Sequence, residues 1–235
     1  MIETYVGTSG WMYSWNKGGS LDWYINYSGL NAVELNASFY RFPFQSAIKS
    51  WKTKGGGLRW SIKVNRLITH TFKFNERAFE AWVRFKELFG PMDHLIDFYL
   101  FQLPPLMSIS SQPKIESFVE KTGLKERFAL EPRNMTWFND DIVKWASNLG
   151  ITLVSVDCPD LPQTLFNLNG IIYERMHGRT MWYGHYYSTD ELEDVAERII
   201  KIGAHKVYVF FNNNHAMLEN SREMLDILRR LNKGP

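Results

Sequence analysis

Apolar and polar residues alternate with a period of two in eight short segments, which is the pattern of half-buried β-strands. The segments are residues 4–9, 32–36, 59–65, 96–103, 128–133, 152–157, 170–177 and 206–212. Most of them are separated by stretches in which apolar residues recur at helical spacing. The pattern therefore predicts strands that alternate with helices along the whole chain.

The helical stretches have recognisable ends. Helices are predicted for residues 74–89, 111–123, 140–149, 188–202 and 214–231. The fourth of these opens with Ser188 and Glu191 at the spacing of a capping box, and Gly203 stops it. Residues 159–169 are too few and too interrupted by proline to form a full helix.

Strands that alternate with helices form parallel βαβ units. Eight such units in 235 residues match the size of a closed (β/α)₈ barrel, which is usually about 250 residues long. The alternative is an open doubly wound sheet, which usually has fewer strands. We therefore predict an α/β fold, a TIM-type (β/α)₈ barrel, with residues 1–235 as a single domain.

Composition excludes several classes of protein. Hydrophobic residues make up 45% of the chain and charged residues 22%, which is typical of a globular protein and not of a disordered one. The one cysteine, Cys158, excludes an internal disulfide framework and a cysteine-based zinc site. We recognise no signal peptide and no run of about 18 apolar residues. We expect a cytoplasmic protein with no membrane partner, and the sequence leaves its oligomeric state open.

Charged residues collect on one face of the predicted strands, near their C-terminal ends. Successive side chains of a strand point to opposite faces, so in the sixth strand Ser155 and Asp157 are set against Val154 and Val156. Over all strands this polar face carries Glu34, Lys63, Glu131, Arg133, Asp157, Arg175 and His177. Unpaired charges are costly to bury, and barrels place their active sites at this end. We therefore predict a functional site there; the alternative is a structural ring of ion pairs.

A series of short motifs runs in order along the chain from residue 7 to residue 213. It comprises Gly7-Thr8-Ser9-Gly10-Trp11, Val33-Glu34-Leu35-Asn36 with Phe39-Tyr40-Arg41, Lys63 with Ile68-Thr69-His70, Gln102-Leu103-Pro104-Pro105, Glu131-Pro132-Arg133 with Trp137, Asp157 with Pro159, Arg175-Met176-His177-Gly178, and Tyr208-Val209-Phe210-Phe211-Asn212-Asn213. The series resembles the YecE-like family, domain of unknown function seventy-two. The resemblance implies a barrel fold and a site at these motifs, and it implies no particular reaction.

The residue types at the strand ends suit an anionic ligand. Arginine binds phosphate or carboxylate through paired N–H groups, and lysine binds them as a point charge. The predicted catalytic set is Glu34, Lys63, Glu131, Asp157 and His177. The predicted substrate-binding set is Ser9, Trp11, Asn36, Tyr40, Arg41, His70, Gln102, Arg133, Trp137, Arg175 and Asn212. The aromatic members would stack on sugars or unpaired bases, and the alternative for them is packing within the loops.

No metal ligand is assigned, and no cofactor is certain. Glu34, Glu131 and Asp157, with His70 and His177, are suitable ligand types for a divalent cation. They lack a metal-binding spacing and are expected to lie among cations, so a divalent metal stays open. A Schiff base on a lysine requires a lowered pKa. For the lysine of the predicted catalytic set we expect nearby acids to keep the pKa high, which disfavours aldolase chemistry.

Three functions follow as hypotheses. The leading one is an enzyme that binds a phosphate-bearing ligand and hydrolyses a phosphodiester, either in an anionic small molecule or in a nucleic acid. The second is a sugar-directed isomerase or glycosidase that uses the same carboxylates. The third is a non-catalytic protein that binds a nucleotide or a nucleic acid.

Overall fold

A closed barrel of eight parallel strands forms the centre of the protein in the computed structural model, which describes residues 2–233. The strands are β1 (Glu3–Thr8), β2 (Ala32–Leu35), β3 (Arg59–Lys63), β4 (Ile96–Gln102), β5 (Phe128–Glu131), β6 (Thr152–Asp157), β7 (Ile171–Met176) and β8 (Lys206–Phe211). Strands that are consecutive in sequence are neighbours in the barrel, and β8 pairs with β1 to close it. The predicted TIM-type barrel is confirmed.

Helices follow most of the strands. They are α1 (Leu21–Tyr27), α2 (Ala37–Tyr40), α3 (Gln45–Lys54), α4 (Glu76–Phe89), α5 (Gln112–Thr122), α6 (Asp140–Leu149), α7 (Thr189–Ile202) and α8 (Met217–Asn232). Within residues 2–233, no helix is long and apolar enough to cross a membrane. The predicted domain limits, 1–235, include positions 1, 234 and 235, which lie outside the described residues.

Local chemistry sets the ends of several helices as predicted. The hydroxyl of Ser188 accepts a hydrogen bond from the backbone N–H of Glu191, and the Glu191 carboxylate accepts one from the backbone N–H of Ser188. This capping box begins α7. Helix α6 covers the predicted residues 140–149, and residues 158–170 contain no helix.

The predicted start of α4 needs a correction. The sequence predicted a helix from residue 74, but the helix begins at Glu76. Lys73 and Phe74 adopt left-handed backbone angles, with φ of 47° and 62°, which are incompatible with a right-handed helix. Asn75 then caps the helix by accepting a hydrogen bond from the backbone of Ala78.

Most strands end one or two residues earlier than predicted. Ser9, Asn36, Arg133 and His177 were predicted as strand residues, and each follows directly or closely after a strand end. The chain leaves the strand ladder at the mouth of the barrel to enter the loops. These four side chains therefore lie at the C-terminal rim, where a ligand site is expected in this fold.

Two apolar cores fill the barrel and its surroundings. The smaller core lies inside the barrel and consists of Ala32, Phe98, Leu100, Ala129, Val154, Tyr173, Tyr208 and Phe210, with Tyr5 and Ile171 packed against them. The larger core joins the outer face of the strands to the helices. Each strand is therefore covered on both faces, as is usual in parallel sheets.

The face assigned to strand β6 was wrong. In parallel pairing, Val154 lies beside Tyr173 and Val156 beside Arg175, and paired residues point to the same side. Val154 belongs to the interior core. Ser155 and Asp157 therefore point outwards, towards the loops. The sequence could not show this, because both faces of β6 are buried and neither is uniformly polar.

Candidate active site at the barrel mouth

A buried arginine bridges two buried glutamates across the barrel. Arg175, next to the end of β7, has no exposed surface, and neither have Glu34 on β2 and Glu131 on β5. Its Nη2 and Nε lie 2.5 and 3.0 Å from the two Glu34 oxygens, and its Nη1 lies 2.6 Å from Oε2 of Glu131. Burial acts to lower the pKa of Arg175, but Glu131 and Glu34 raise it above its usual value. The guanidinium is permanently charged.

The Glu34 carboxylate is saturated with hydrogen bonds. Besides those from Arg175, it accepts one from the Ser9 hydroxyl at 2.8 Å and one from the Tyr173 hydroxyl at 2.6 Å. Tyr173 also contacts the Ser61 hydroxyl at 2.7 Å, and burial and Glu34 raise its pKa well above the usual value. Tyr173 was not predicted as a site residue, although it shares a strand face with Arg175 two positions later.

The Glu131 carboxylate is held in the same way. Arg133 Nε donates to Oε1 at 2.6 Å, and His177 Nε2 lies 3.2 Å from the same oxygen. Burial acts to raise the pKa of Glu131, but Arg133 and Arg175 hold it well below its usual range. The sequence placed Glu34 and Glu131 in the predicted catalytic set. In the structure their carboxylates orient Arg175 and Arg133, and neither side chain has an exposed surface for a ligand.

Gln102 and Asn212 complete this network. Arg133 Nη2 lies 3.4 Å from Gln102 Oε1 and 3.1 Å from His177 Nε2, and Asn212 Nδ2 lies 3.2 Å from His177 Nδ1. Burial, Arg133 and Arg175 lower the pKa of His177 well below its usual value, so this imidazole is neutral. Gln102, Asn212 and His177 therefore join the predicted cluster as hydrogen-bonding groups.

Lys63 is a nearly buried cation of the mouth, and among the described residues it has no carboxylate partner. It is 8% exposed, and within residues 2–233 its ammonium makes no hydrogen bond or ion pair. It lies over the ring of Phe39, 4.4 Å from the centroid. Burial, followed by repulsion from Arg175, lowers its pKa to about 7. The prediction of a high pKa was wrong, because Arg175 and Arg133 already engage the acids that would have raised it.

His70 lies beside this lysine. Its Nδ1 is 2.8 Å from the hydroxyl of Thr69, and its ring packs edge-on against Phe39 at 5.1 Å. Burial and the neighbouring Lys63 lower its pKa to about 4, so it is neutral at physiological pH. It can exchange hydrogen bonds with a ligand, but it adds no charge.

Five predicted substrate-binding residues line one cavity of about 320 Å³ beside the mouth. They are Ser9, Trp11, Asn36, Tyr40 and Arg41. Tyr13, Phe44 and Trp51 also line it, and we call this space the aromatic cavity. Phe44 and Trp51 were missed because they lie at and within α3, away from any strand end.

A second cavity of about 520 Å³ lies at the β5–β7 side of the mouth. Arg133 lines it together with Trp182, whose ring lies 4.7 Å from the guanidinium carbon. Asn134, Tyr183 and Asp160 are further lining residues. We call the linked side chains of Glu34, Glu131, Arg133, Arg175 and His177 the charged network. Within it, the Arg133 guanidinium also borders an open cavity.

Two predicted site residues lie elsewhere. Asp157 points outwards from β6, where Arg179 Nε lies 3.0 Å and the Tyr187 hydroxyl 2.9 Å from its oxygens. It belongs to the outer layer and not to the charged network. Trp137 is fully buried, and its indole donates to the carbonyl of Met107 at 2.8 Å. It anchors a loop and has no free face for stacking, so the packing alternative holds for this residue.

The acidic and imidazole groups do not converge as a metal site. Among the described residues, no group of three or more His, Cys, Asp and Glu side chains could hold a metal ion. The physical reason lies in the network, since guanidinium groups occupy the oxygens of both central carboxylates. Coordination at this position would require those ion pairs to open.

Fold and site together define an α/β barrel protein with a charged mouth beside an aromatic cavity. The model of the family described as protein of unknown function DUF72 matches residues 5–235, and the chain belongs to this family. The resemblance seen in the motifs is thereby confirmed.

Solved structures of the same family share the fold. A DUF72 family protein of Enterococcus faecalis superposes with a TM-score of 0.81 at 21% identity, over 96% of this chain and 95% of that one. A DUF72 family protein of Thermotoga maritima gives a TM-score of 0.74 at 25% identity, over 98% and 99% of the two chains. No match was found among curated proteins.

Proposed function

We propose that this protein is an enzyme that binds a phosphate-bearing ligand at the barrel mouth and hydrolyses a phosphate ester. One observation carries the proposal: among the described residues the Lys63 amine has no carboxylate partner, while both central glutamates are engaged. Two carboxylates balance the guanidinium groups of Arg133 and Arg175. The charge that remains is positive, which favours an anion as the missing partner.

The proposed chemistry uses cations to stabilise the reacting phosphate. Water attacks phosphorus and releases a proton to the solvent, the bond from phosphorus to the ester oxygen breaks, and the leaving oxygen takes up a proton from the solvent. Lys63 and Arg133 would stabilise the negative charge on the phosphoryl oxygens. Removal of a single donor of this kind typically lowers the reaction rate by about 10²–10³-fold. Glu131 and Gln102 hold Arg133 in place for this role.

The test measures both binding and turnover. Sulfate and inorganic phosphate are titrated by calorimetry into the wild type, K63M and R133M, with K201M and R229M at exposed helix positions as matched controls. Hydrolysis of bis(4-nitrophenyl) phosphate is followed in parallel. We expect each mouth variant to lose about tenfold or more in anion affinity, with the controls unchanged. Equal affinity in all five proteins would refute the proposal, and binding without turnover would favour the non-catalytic alternative.

The pH dependence gives a sharper test with sulfate, which does not itself titrate near neutrality. The pKa of Lys63 is lowered to about 7, so its positive charge is lost as the pH rises through that value. Both His70 and His177 are already neutral there. We therefore expect sulfate affinity to fall between pH 6 and 8 in the wild type and to be independent of pH in K63M.

A further inference from the structure

We infer that the aromatic cavity binds the planar heterocyclic base of a nucleotide whose phosphate meets Lys63. This inference rests on the proposed function and names its substrate class. The residues of the aromatic cavity that carry the inference contribute no charge to the network. An experiment can therefore refute base binding while phosphate binding at the mouth is still observed.

The walls of the aromatic cavity offer ring faces. Trp11 is fixed by edge-on packing against Trp51 and Trp60, at centroid distances of 5.8 and 5.9 Å. Tyr40 and Phe44 stand at the opening with 72% and 73% of their surface exposed. Large aromatic side chains exposed together at a cavity are typical of a ligand site, and a flat ring covers them by stacking.

The mostly apolar lining favours a base over a sugar. The hydroxyls of Ser9 and Tyr13 are already used within the protein, which leaves Asn36, Arg41, the Tyr40 hydroxyl and the indole N–H groups as the polar groups of the lining side chains that make no hydrogen bond among the described residues. A sugar carries several hydroxyl groups, and each one buried without a partner costs free energy. A heterocyclic base presents two apolar faces and only a few polar atoms at its edge.

Asn36 supplies an unused acceptor for that edge. Among the residues that the structure describes, its side-chain oxygen Oδ1 is buried and accepts no hydrogen bond. An unpaired buried acceptor is destabilising, and a rotation of the amide would turn it towards the cavity, where a ring N–H or an exocyclic amine of a base would satisfy it. The side chain follows β2 directly, so the barrel fixes its position.

The cavity and the lysine are neighbours through two short contacts. Lys63 lies over Phe39, and Phe39 packs edge-on against Tyr40 at 5.1 Å. On the other side, Ser9 lines the cavity and donates to Glu34 of the charged network. A ligand with a ring in the cavity can therefore direct an attached phosphate towards the lysine, which is the arrangement of groups in a nucleotide.

The test compares ligands that share a phosphate and differ in the ring. Adenosine 5′-monophosphate, cytidine 5′-monophosphate, ribose 5-phosphate and glucose 6-phosphate are titrated by calorimetry into the wild type, Y40A, F44A and N36L. Tyr27→Ala, which removes an exposed aromatic ring on α1, is the matched control. The wild type should bind at least one nucleotide about tenfold more tightly than ribose 5-phosphate.

The variants test whether the tighter binding of a nucleotide than of ribose 5-phosphate depends on the aromatic cavity. Y40A, F44A and N36L should each lose most of the nucleotide preference while their affinity for ribose 5-phosphate stays unchanged, and Y27A should behave as the wild type. Equal binding of nucleotides and ribose 5-phosphate overturns the inference and leaves the proposed function standing. Tighter binding of glucose 6-phosphate that is lost in Y40A also overturns it, in favour of a sugar site. Absence of binding by all four ligands overturns both proposals.

Discussion

At the residue scale, Lys63 stands out because its burial costs free energy that its contacts among the described residues offset only in part. The amine is charged in the unfolded chain up to its pKa of 10.5, whereas in the folded protein the pKa is about 7. Between these two values the unfolded state binds more protons, so the stability of the wild type rises with pH. Below pH 7 the penalty for burying the charge is complete.

Lys63→Met should therefore stabilise the protein. We expect a gain of ~1–4 kcal/mol in the free energy of unfolding at pH 6, which shrinks as the pH rises towards 10. Urea unfolding followed by circular dichroism at pH 6, 8 and 9.5 measures this, with the exposed Lys201→Met as control. A destabilised K63M at pH 6 would contradict it. A change that stabilises the protein and weakens anion binding would also separate function from folding at this position.

The buried charge of Glu131 stabilises the folded protein, in contrast to that of Lys63. Its charge compensates Arg175 and Arg133 in the buried network, and its pKa lies well below the usual value. Glu131→Gln should destabilise the protein by about 3 kcal/mol at pH 7, because a buried guanidinium then loses a partner. The loss should diminish in acid, as pH falls through the folded pKa. The comparison is thermal unfolding against the exposed Glu120→Gln, and a shift no larger than that of the control argues against the network.

At the scale of elements, the outer face of β6 and β7 holds a second acidic pair. Glu174 on β7 is 3% exposed, its Oε2 makes no hydrogen bond among the described residues, and Asp157 on β6 lies nearby. Burial, followed by repulsion from Asp157, raises the pKa of Glu174 well above its usual value. The folded protein keeps this proton at a pH where the unfolded chain has lost it, so the stability falls as the pH rises.

Glu174→Gln should remove that dependence. We expect the variant to match the wild type near pH 4 and to exceed it by about 1–3 kcal/mol at pH 8, since an amide imitates the protonated acid. Urea midpoints at the two pH values provide the measurement, and Glu197→Gln on the exposed face of α7 is the control. If the difference between E174Q and the wild type were the same at both pH values, Glu174 would be charged in the folded protein.

For β6, the sequence predicted the strand itself correctly but not the direction in which its side chains point. The alternation of apolar and polar residues predicted the existence of β6. The shortness and the prolines of residues 159–169 predicted that no full helix follows it. The direction of Asp157 was missed because a strand buried on both faces gives no polar face to read. Pairing with β7 decides it, and that contact depends on the closed barrel.

At the scale of the whole molecule, barrel closure links the two ends of the chain. β1 pairs with β8 along its full length, from Glu3–Lys206 to Thr8–Phe211. The side chain of Asn232 bonds both the backbone N–H and the carbonyl of Ile2. One large core joins residues from every strand to the helices.

A single cooperative unit should therefore unfold. We expect one heat-absorption peak in scanning calorimetry, with equal calorimetric and van't Hoff enthalpies. The mouth variant K63M should shift that peak without splitting it. Two resolved transitions would contradict the prediction that residues 1–235 form one domain.

The sequence by itself determined the repeating pattern of strands and helices, the capping of α7 and the identity of the polar residues at the strand ends. These follow from interactions between residues close together in the chain, namely periodicity, capping and turn geometry. The tertiary structure decided the rest. Arg175 meets Glu34 and Glu131 across separations of 141 and 44 residues, and only those contacts show that the acids are engaged and that Lys63 is not. Charge pairing and desolvation depend on distances in space, which the order of residues does not contain.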